Sequence, residues 1–394
     1  MSAIVIVGAG ECGVRAAFGL RENGFDGSVT LIGEEDLLPY ERPPLSKNHE
    51  LDPKFIYSAD AYDTAKIDLL LGKKVASIDC TNRQIELSDG LVIRYDKLLL
   101  ATGARARLFP SLIGCLTLRT QADAEAIMTR FTPGAHVGII GGGFIGLEVA
   151  SSARSLGADV TVIEAGRRIL GRAVPEAIAS AVHTRHAQAG VRILTGTAIA
   201  RTTATQVYFE DGSHMAFDVI IAGIGAVPNT ELATNGGLNV ENGIVVDRSF
   251  KTSDAAIFAA GDCCNFIWRD QRTRLESWKA AQDQGTHVAG AMLGDDAAYA
   301  KAPWFWSDQY DLTLCVTGIF DLSAETQTRS TSNDTSIVFQ LDPDGVLTAA
   351  AGIGIGNSAV KELRIFEKLI ERAKVFDGSV LCDPATNLKR LLRD

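Results

Sequence analysis

No cysteine lies between Cys12 and Cys80. A redox-active thiol pair therefore has no place in that stretch. Basic charge is also short: 38 Lys and Arg face 48 Asp and Glu, for a net charge of −10. Binding along a nucleic-acid backbone needs a basic footprint, so a nucleic-acid partner is not expected. Long apolar runs are missing too. The opening "MSAIVIVGAG" lacks a basic leader and a cleavage site, and it is too short to span a bilayer. The expectation is a soluble, cytoplasmic protein. The seven cysteines fit no even framework, and reduced thiols are the expected state. The six histidines show no metal-ligand clustering with cysteines or acids, so no metal is expected.

What is present is an ordinary globular composition, 46% hydrophobic and 22% charged, over 394 residues. That length is too great for one core and suits about two or three domains. The first unit opens at once. "AIVIV" is a continuous, β-branched apolar run, which suits a strand buried on both faces. It enters Gly8-Ala9-Gly10-Glu11-Cys12-Gly13, then "VRAAFGLRENG", whose apolar residues recur at helical spacing. "SVTLIG" follows and delivers Glu34. Gly8 permits the tight turn, Gly10 lets backbone approach a pyrophosphate, and Gly13 lets helix pack close to strand. The helix N-terminus favours phosphate charge, and the acid binds ribose hydroxyls. The pattern then repeats. "HVGII" leads into Gly141-Gly142-Gly143-Phe144-Ile145-Gly146, "LEVASSARSLG" and "DVTVIE", ending at Glu164. Two such sites in one chain suggest one dinucleotide held permanently and one visiting, a flavin with a nicotinamide.

Three strand-to-loop exits support this reading by their order. Leu98–Ala101 breaks at Thr102-Gly103, "DVIIAGIGAVPNTEL" breaks at Gly223 and Gly225, and "TSDAAIFAAGDCC" runs into Gly261-Asp262. One segment stands apart, "PYERPPLSK" at residues 39–47. It is too rigid and too polar to be core.

The motifs "LPYERPPLSK", "YDKLLLATGARAR", "GGGFIGLEVA", "TSDAAIFAAGDC", "RLESWKAAQDQG" and "PWFWSDQYDL" resemble the flavoprotein family of FAD-dependent NADH:ferredoxin reductases, over essentially the whole chain. The resemblance implies an α/β fold of two dinucleotide-binding, Rossmann-like domains, glutathione-reductase-like, plus a small C-terminal α+β domain. An FAD domain of residues 1–110 and 229–302 would hold an inserted NAD domain, 111–228, before a third domain, 303–394. It further implies NADH as donor, FAD as carrier and a [2Fe-2S] ferredoxin serving a dioxygenase or cytochrome P450 as partner. Lys47 and Glu148 are placed beside the flavin ring, where the lysine stabilises negative charge on reduced flavin and the carboxylate holds the lysine. Phe144 is implied as the aromatic that shields the flavin. Trp278 is assigned against the flavin, Asp262 to the ribityl chain and Glu34 to the adenine ribose. Arg42 goes to the phosphates or adenine, while Cys12, Val75, Thr102, Gly103 and Arg119 are further FAD-side positions. Gly225 joins the glycines as a cofactor position.

A carboxylate at Glu164 accepts from a 2′-hydroxyl and repels a 2′-phosphate, which favours NADH. Arg167, Arg168 and Arg172 lie close enough in sequence to oppose that preference. Cys263-Cys264 is expected to be inert, since vicinal disulfides are strained. Lys361, Arg364, Lys368 and Arg372 recur at helical spacing and form a candidate basic dock for an acidic ferredoxin. The alternatives in the same fold are a rubredoxin reductase or an NADH oxidase-type flavoprotein; a flavin-bound interaction protein, like apoptosis-inducing factor, is a different class. Disulfide reductases and thiol-dependent oxidases need a cysteine between residues 13 and 79.

Overall fold

A computed structural model describes residues 2–47, 49–332 and 335–393. The chain divides into two compact units, Met1–Arg42 with Pro53–Arg105 and Ala226–Lys301, and Pro43–Asp52 with Ala106–Gly225 and Ala302–Asp394.

In the first unit the apolar runs pair as a five-stranded sheet. Its order is Ile257–Ala259, Lys97–Leu100, Ala3–Val7, Ser28–Ile32, Ile67–Leu70, and every pairing is parallel. Ile4, Val5, Ile6, Leu98, Leu99 and Leu100 are all fully buried, because a parallel sheet is covered on both faces. From the central strand Ala3–Val7 the chain moves first to one neighbour and later to the other. That reversal opens a crevice at the strand's C-terminal end, the usual ligand position of such sheets. The helices Glu11–Glu22 and Trp278–Met292 cross closely through small residues. A methyl group on Gly19 would sit 3.0 Å from the Ala289 methyl, and one on Gly285 only 2.5 Å from the Cys12 carbonyl.

The second unit carries a four-stranded parallel sheet in the order Arg192–Leu194, Asp159–Ile163, His136–Ile140, Val219–Ala222. Val137, Ile139, Val160, Val162 and Ile221 build its core, and the same reversal occurs at His136–Ile140. Its C-terminal part is a five-stranded antiparallel sheet, Trp304–Gln309, Leu312–Gly318, Leu347–Ile355, Thr335–Leu341, Gln327–Ser332. One face of that sheet, through Leu314, Val316, Val338 and Ile353, packs on Leu147, Ile178 and Val182. The helix Val360–Glu371 covers sheet residues with Leu363, Phe366, Leu369 and Ile370, all fully buried. Among the described residues no helix is long and apolar enough to cross a membrane.

Candidate functional site

Each parallel sheet ends in a glycine turn shaped for a dinucleotide. In the first unit Gly8 has φ of +111°, and a methyl group there would lie 2.1 Å from the Ala101 carbonyl oxygen. Gly13 lies against the Gly8 carbonyl so closely that a methyl would come within 1.9 Å of its oxygen. Gly10, the N-cap of the Glu11–Glu22 helix, has open space around it and lends no side-chain cap to the helix N–H groups. These groups lack an intrahelical acceptor and carry the positive end of the helix dipole, so they fit a pyrophosphate. Cys12 is buried in the first helical turn, and desolvation pushes its thiol well above the ordinary range.

Around that turn the chain is tied down tightly. Thr102 Oγ1 donates to the Asn229 carbonyl at 2.6 Å, and Asn229 Nδ2 returns a bond to the Thr102 carbonyl at 2.9 Å. Gly103 accepts from the Asn229 N–H and takes a positive φ of +66°. Asp262 and Trp278 are half-buried, the latter opening its helix. Val75 is buried in a small antiparallel sheet with Gln84–Leu87. Glu34 is exposed and pairs with Lys74 at 2.9 Å. Arg42 donates to Glu35 at 2.9 Å, and Glu35 also accepts from the Tyr40 hydroxyl at 2.6 Å. The sequence reading singled out Glu34 alone; the second acid of the pair is the one that engages Arg42.

The second unit repeats the cradle. Gly141 has φ of +104°, and a methyl there would approach the Gly223 carbonyl oxygen to 2.4 Å. Gly146 packs on the Gly141 carbonyl at a distance of 2.2 Å for such a methyl, and Gly143 is the uncapped N-cap of the Phe144–Ser155 helix. Glu164 accepts from the Gly142 N–H at 2.7 Å and the Gly166 N–H at 2.6 Å. Its carboxylate is thus fixed at the end of its strand, beside the loop. Arg168 does not oppose it, because its guanidinium reaches back to the Val174 carbonyl at 2.9 Å and to the nearby Leu170 carbonyl at 3.4 Å. Arg167 and Arg172 are exposed. Gly225 has φ of +106° and its carbonyl accepts from the Arg107 N–H. The backbone N–H of Arg119 donates to Asp123 at 2.9 Å.

The same unit gathers a polar cluster around Glu148. Its position five residues into the helix that starts at Phe144 turns it inward, and it is 5% exposed. Lys47 Nζ lies 3.3 Å from Glu148 Oε1 and 3.7 Å from Asp308 Oδ2. Ser46 Oγ donates to Oε2 at 2.5 Å, and Ser307 Oγ donates to Oε1 at 2.6 Å. Ser152 Oγ in turn holds the Ser46 carbonyl at 2.6 Å. Burial raises the Glu148 carboxyl above its usual range, and Lys47 and the two hydroxyls pull it back. The prolines of "RPPLSK" shape a short 3-10 turn, Pro43–Ser46, that delivers Ser46 and Lys47 to this helix. The sequence singled out Lys47 and Glu148; Ser46, Ser307 and Asp308 stood inside the quoted motifs without an assigned role. Phe144 is half-buried and meets Phe305 edge-on, with ring centroids 4.6 Å apart.

Other singled-out positions have local partners. Cys263 donates to the Leu100 and Ala260 carbonyls, and burial raises both its thiol and that of Cys264. The basic stripe on Val360–Glu371 and its C-cap Arg372 does face outward, but three of its four charges are engaged locally. Arg364 pairs with Glu367 at 3.0 Å and lies 3.7 Å over the Trp304 ring, Lys368 pairs with Glu371 at 2.7 Å, and Arg372 donates to the Leu392 carbonyl. Among the described residues, no group of three or more His, Cys, Asp or Glu could hold a metal.

Two glycine cradles, each with an acid after the second strand, define a two-dinucleotide enzyme. Residues 2–285 match the pyridine nucleotide-disulphide oxidoreductase family, and residues 304–392 match a reductase C-terminal domain. The chain belongs to that family. It is an FAD-dependent oxidoreductase that uses a nicotinamide dinucleotide. It is 39% identical over 98% of its length to the ferredoxin–NAD(+) reductase component of the anthranilate 1,2-dioxygenase system of Burkholderia cepacia, of which it covers 98%. It is 38% identical to putidaredoxin reductase of Pseudomonas putida, over 80% of each chain. Its fold superposes on the crystal structure of a covalent putidaredoxin reductase–putidaredoxin complex with a TM-score of 0.93 at 34% identity, covering 100% of this chain and 98% of that one.

Proposed function

We propose that this oxidoreductase carries electrons from NADH through FAD to a [2Fe-2S] ferredoxin, in the cytoplasm. The observation that carries the proposal is a pair of dinucleotide cradles in a chain with no cysteine in the stretch after the first one. Residues 13–79 contain no cysteine, and Cys12, Cys263 and Cys264 are buried with raised thiols, poor nucleophiles at neutral pH. The named relatives, a dioxygenase reductase and putidaredoxin reductase, supply the class of acceptor.

In this reading residues 1–110 and 229–302 hold FAD, 111–228 receive NADH, and 303–394 form the third domain. The Gly8–Gly13 and Gly141–Gly146 turns bind the pyrophosphates through helix N–H groups. Flavin, when bound, accepts a hydride and releases single electrons, which bridges a two-electron donor and a one-electron acceptor. Lys47 supplies positive charge where the reduced ring becomes negative, and Glu148 fixes the ammonium in place. Ser46 and Ser307 hold the carboxylate ionised by donating to it, against the cost of burial. Glu164 accepts from a ribose 2′-hydroxyl and selects NADH. Phe144 covers the nicotinamide position, and Trp278, Asp262, Glu34, Arg42, Val75, Thr102, Gly103 and Arg119 contact FAD.

The test is direct. Purified protein is expected to be yellow and to reduce cytochrome c with NADH only when a [2Fe-2S] ferredoxin is added. Equal turnover with rubredoxin, or with oxygen alone, would assign it to a different acceptor.

A further inference from the structure

The helix Glu176–Gln188 places Ile178, Ala179, Val182 and His186 on one buried face. A histidine there interrupts an otherwise apolar stripe, and its imidazole is 1% exposed. It is not idle. His186 Nε2 lies 2.7 Å from Gln309 Oε1, and Gln309 Nε2 donates to Ser307 Oγ at 3.0 Å. Ser307 is the residue that donates to Glu148. On the far side, the Tyr310 hydroxyl lies 3.4 Å from His186 Nδ1, with the two rings edge-on. Tyr310 sits in the turn between two strands with φ of +58°, and its N–H donates to Ser151 Oγ at 3.1 Å. The chain is walled by Val182, Leu312, Leu314 and Ile353.

Donors and acceptors along this line have one consistent assignment while Glu148 is ionised. A carboxylate only accepts, so Ser307 must donate to it. Ser307 Oγ then accepts from the Gln309 amide nitrogen, which turns Gln309 Oε1 toward His186. His186 must carry its proton on Nε2, and its bare Nδ1 accepts from the Tyr310 hydroxyl. Every dipole points at Glu148. Protonating Glu148 permits the reverse order, with its O–H donating to Ser307, the amide turned over and the imidazole proton on Nδ1. The amide does not pass protons, so the line orients rather than conducts.

We propose that His186 and Gln309 are positioning residues for the Lys47–Glu148 pair, aligning a buried hydrogen-bond line from Tyr310 through Ser307 that holds Glu148 charged. This rests on the reading of that pair as part of the flavin chemistry. Aligned hydrogen bonds polarise one another in a dry setting, so residues distant from Glu148 act on its charge. Burial keeps His186 neutral, with Arg185 and His183 acting in the same direction against the bond to Gln309, and the neutral ring is the form the alignment requires. The charged and titratable groups around the line are Lys47 and, beyond it, Asp308 at the Glu148 end, Arg185 and His183 on the His186 helix, Arg154 on the Phe144–Ser155 helix, and Tyr310 and Asp311 in the strand turn. Arg185 is itself held by Asp311 at 2.6 Å and lies 4.4 Å over the Tyr310 ring.

The experiment compares FAD-loaded wild type with Ser307→Ala, Ser307→Thr, Gln309→Leu, His186→Phe and Glu148→Gln. Infrared difference spectra across pH report the protonated carboxyl band of Glu148, identified by its loss in Glu148→Gln. Stopped flow reports the acid limb of flavin reduction by NADH. Losing a donor to the charged form raises its proton affinity. The band midpoint is expected to rise by roughly one pH unit in Ser307→Ala and about half a unit in Gln309→Leu and His186→Phe, with Ser307→Thr near wild type. The acid limb moves in parallel. Unchanged midpoints in Gln309→Leu and His186→Phe would overturn the proposal; Gln309→Leu alone decides it if His186→Phe does not fold. Unaltered reduction kinetics in Glu148→Gln would instead remove the ion pair from the mechanism, while the band midpoint still decides the hydrogen-bond line.

Discussion

At the scale of single residues the chemistry converges on Lys47 and Glu148, 3.3 Å apart. Replacing Lys47 with Met removes the cation assigned to the reduced flavin, and flavin reduction by NADH is expected to slow by about a hundredfold, comparable to losing one preorganised stabilising group. Stopped-flow rates at saturating NADH check this. Because burial raises the Glu148 carboxyl, its proton returns at a higher pH than in an exposed glutamate. Reduction is therefore expected to fail progressively as pH drops through that raised value, and Glu148→Gln to abolish this acid limb. Glu164 is the residue proposed to set the donor. The ratio of kcat/KM for NADH over NADPH is expected to be roughly tenfold or more, and to narrow in Glu164→Ala. The residues around this pair, Ser46, Ser307 and Asp308, lay inside quoted motifs, yet nothing along the chain gave them a role. Serines and aspartates look alike along a chain until the fold brings one against a buried carboxylate.

At the scale of elements the two glycine turns behave as separable parts. Adding a methyl to Gly13 drives it into the Gly8 carbonyl, and Gly13→Ala is expected to yield colourless protein. Gly146→Ala makes the same clash in the other turn; that variant should stay yellow and lose reduction by NADH while retaining reduction by dithionite. Absorbance at the flavin bands distinguishes the two. The C-terminal element depends on a different residue. Arg329 is buried, pairs with Glu362 at 2.9 Å and donates to the carbonyls of Leu381, Asp383, Pro384 and Thr386. Arg329→Met strands those carbonyls and Glu362, at a cost of about 3–5 kcal/mol. Thermal unfolding should show the loss, with proteolysis concentrated at the Gly378–Cys382 helix and the residues after it.

At the scale of the molecule, the net charge of −10 makes any attraction to an acidic ferredoxin a local matter. The stripe on Val360–Glu371 is a weak candidate for it, since three of its four cations have partners in their own unit. Exchanging Lys361 and Lys368 for Glu together is expected to change the KM for ferredoxin by less than about twofold at moderate salt. A tenfold rise would restore that helix as the dock.

The parallel sheets, their glycine turns and the acids that follow were legible residue by residue, because local rules decide them. Buried strands need unbroken apolar runs, a tight turn needs a glycine with positive φ, and each acid follows closely on the second strand of its unit. Long-range contacts were not legible. That the Pro43–Ser46 turn joins the second unit, that Arg168 bends back to its own backbone, and that His186 meets Gln309 across 123 residues of sequence follow from packing. A polar group taken out of water must find its partners inside the fold, and only the assembled core defines which partners those are.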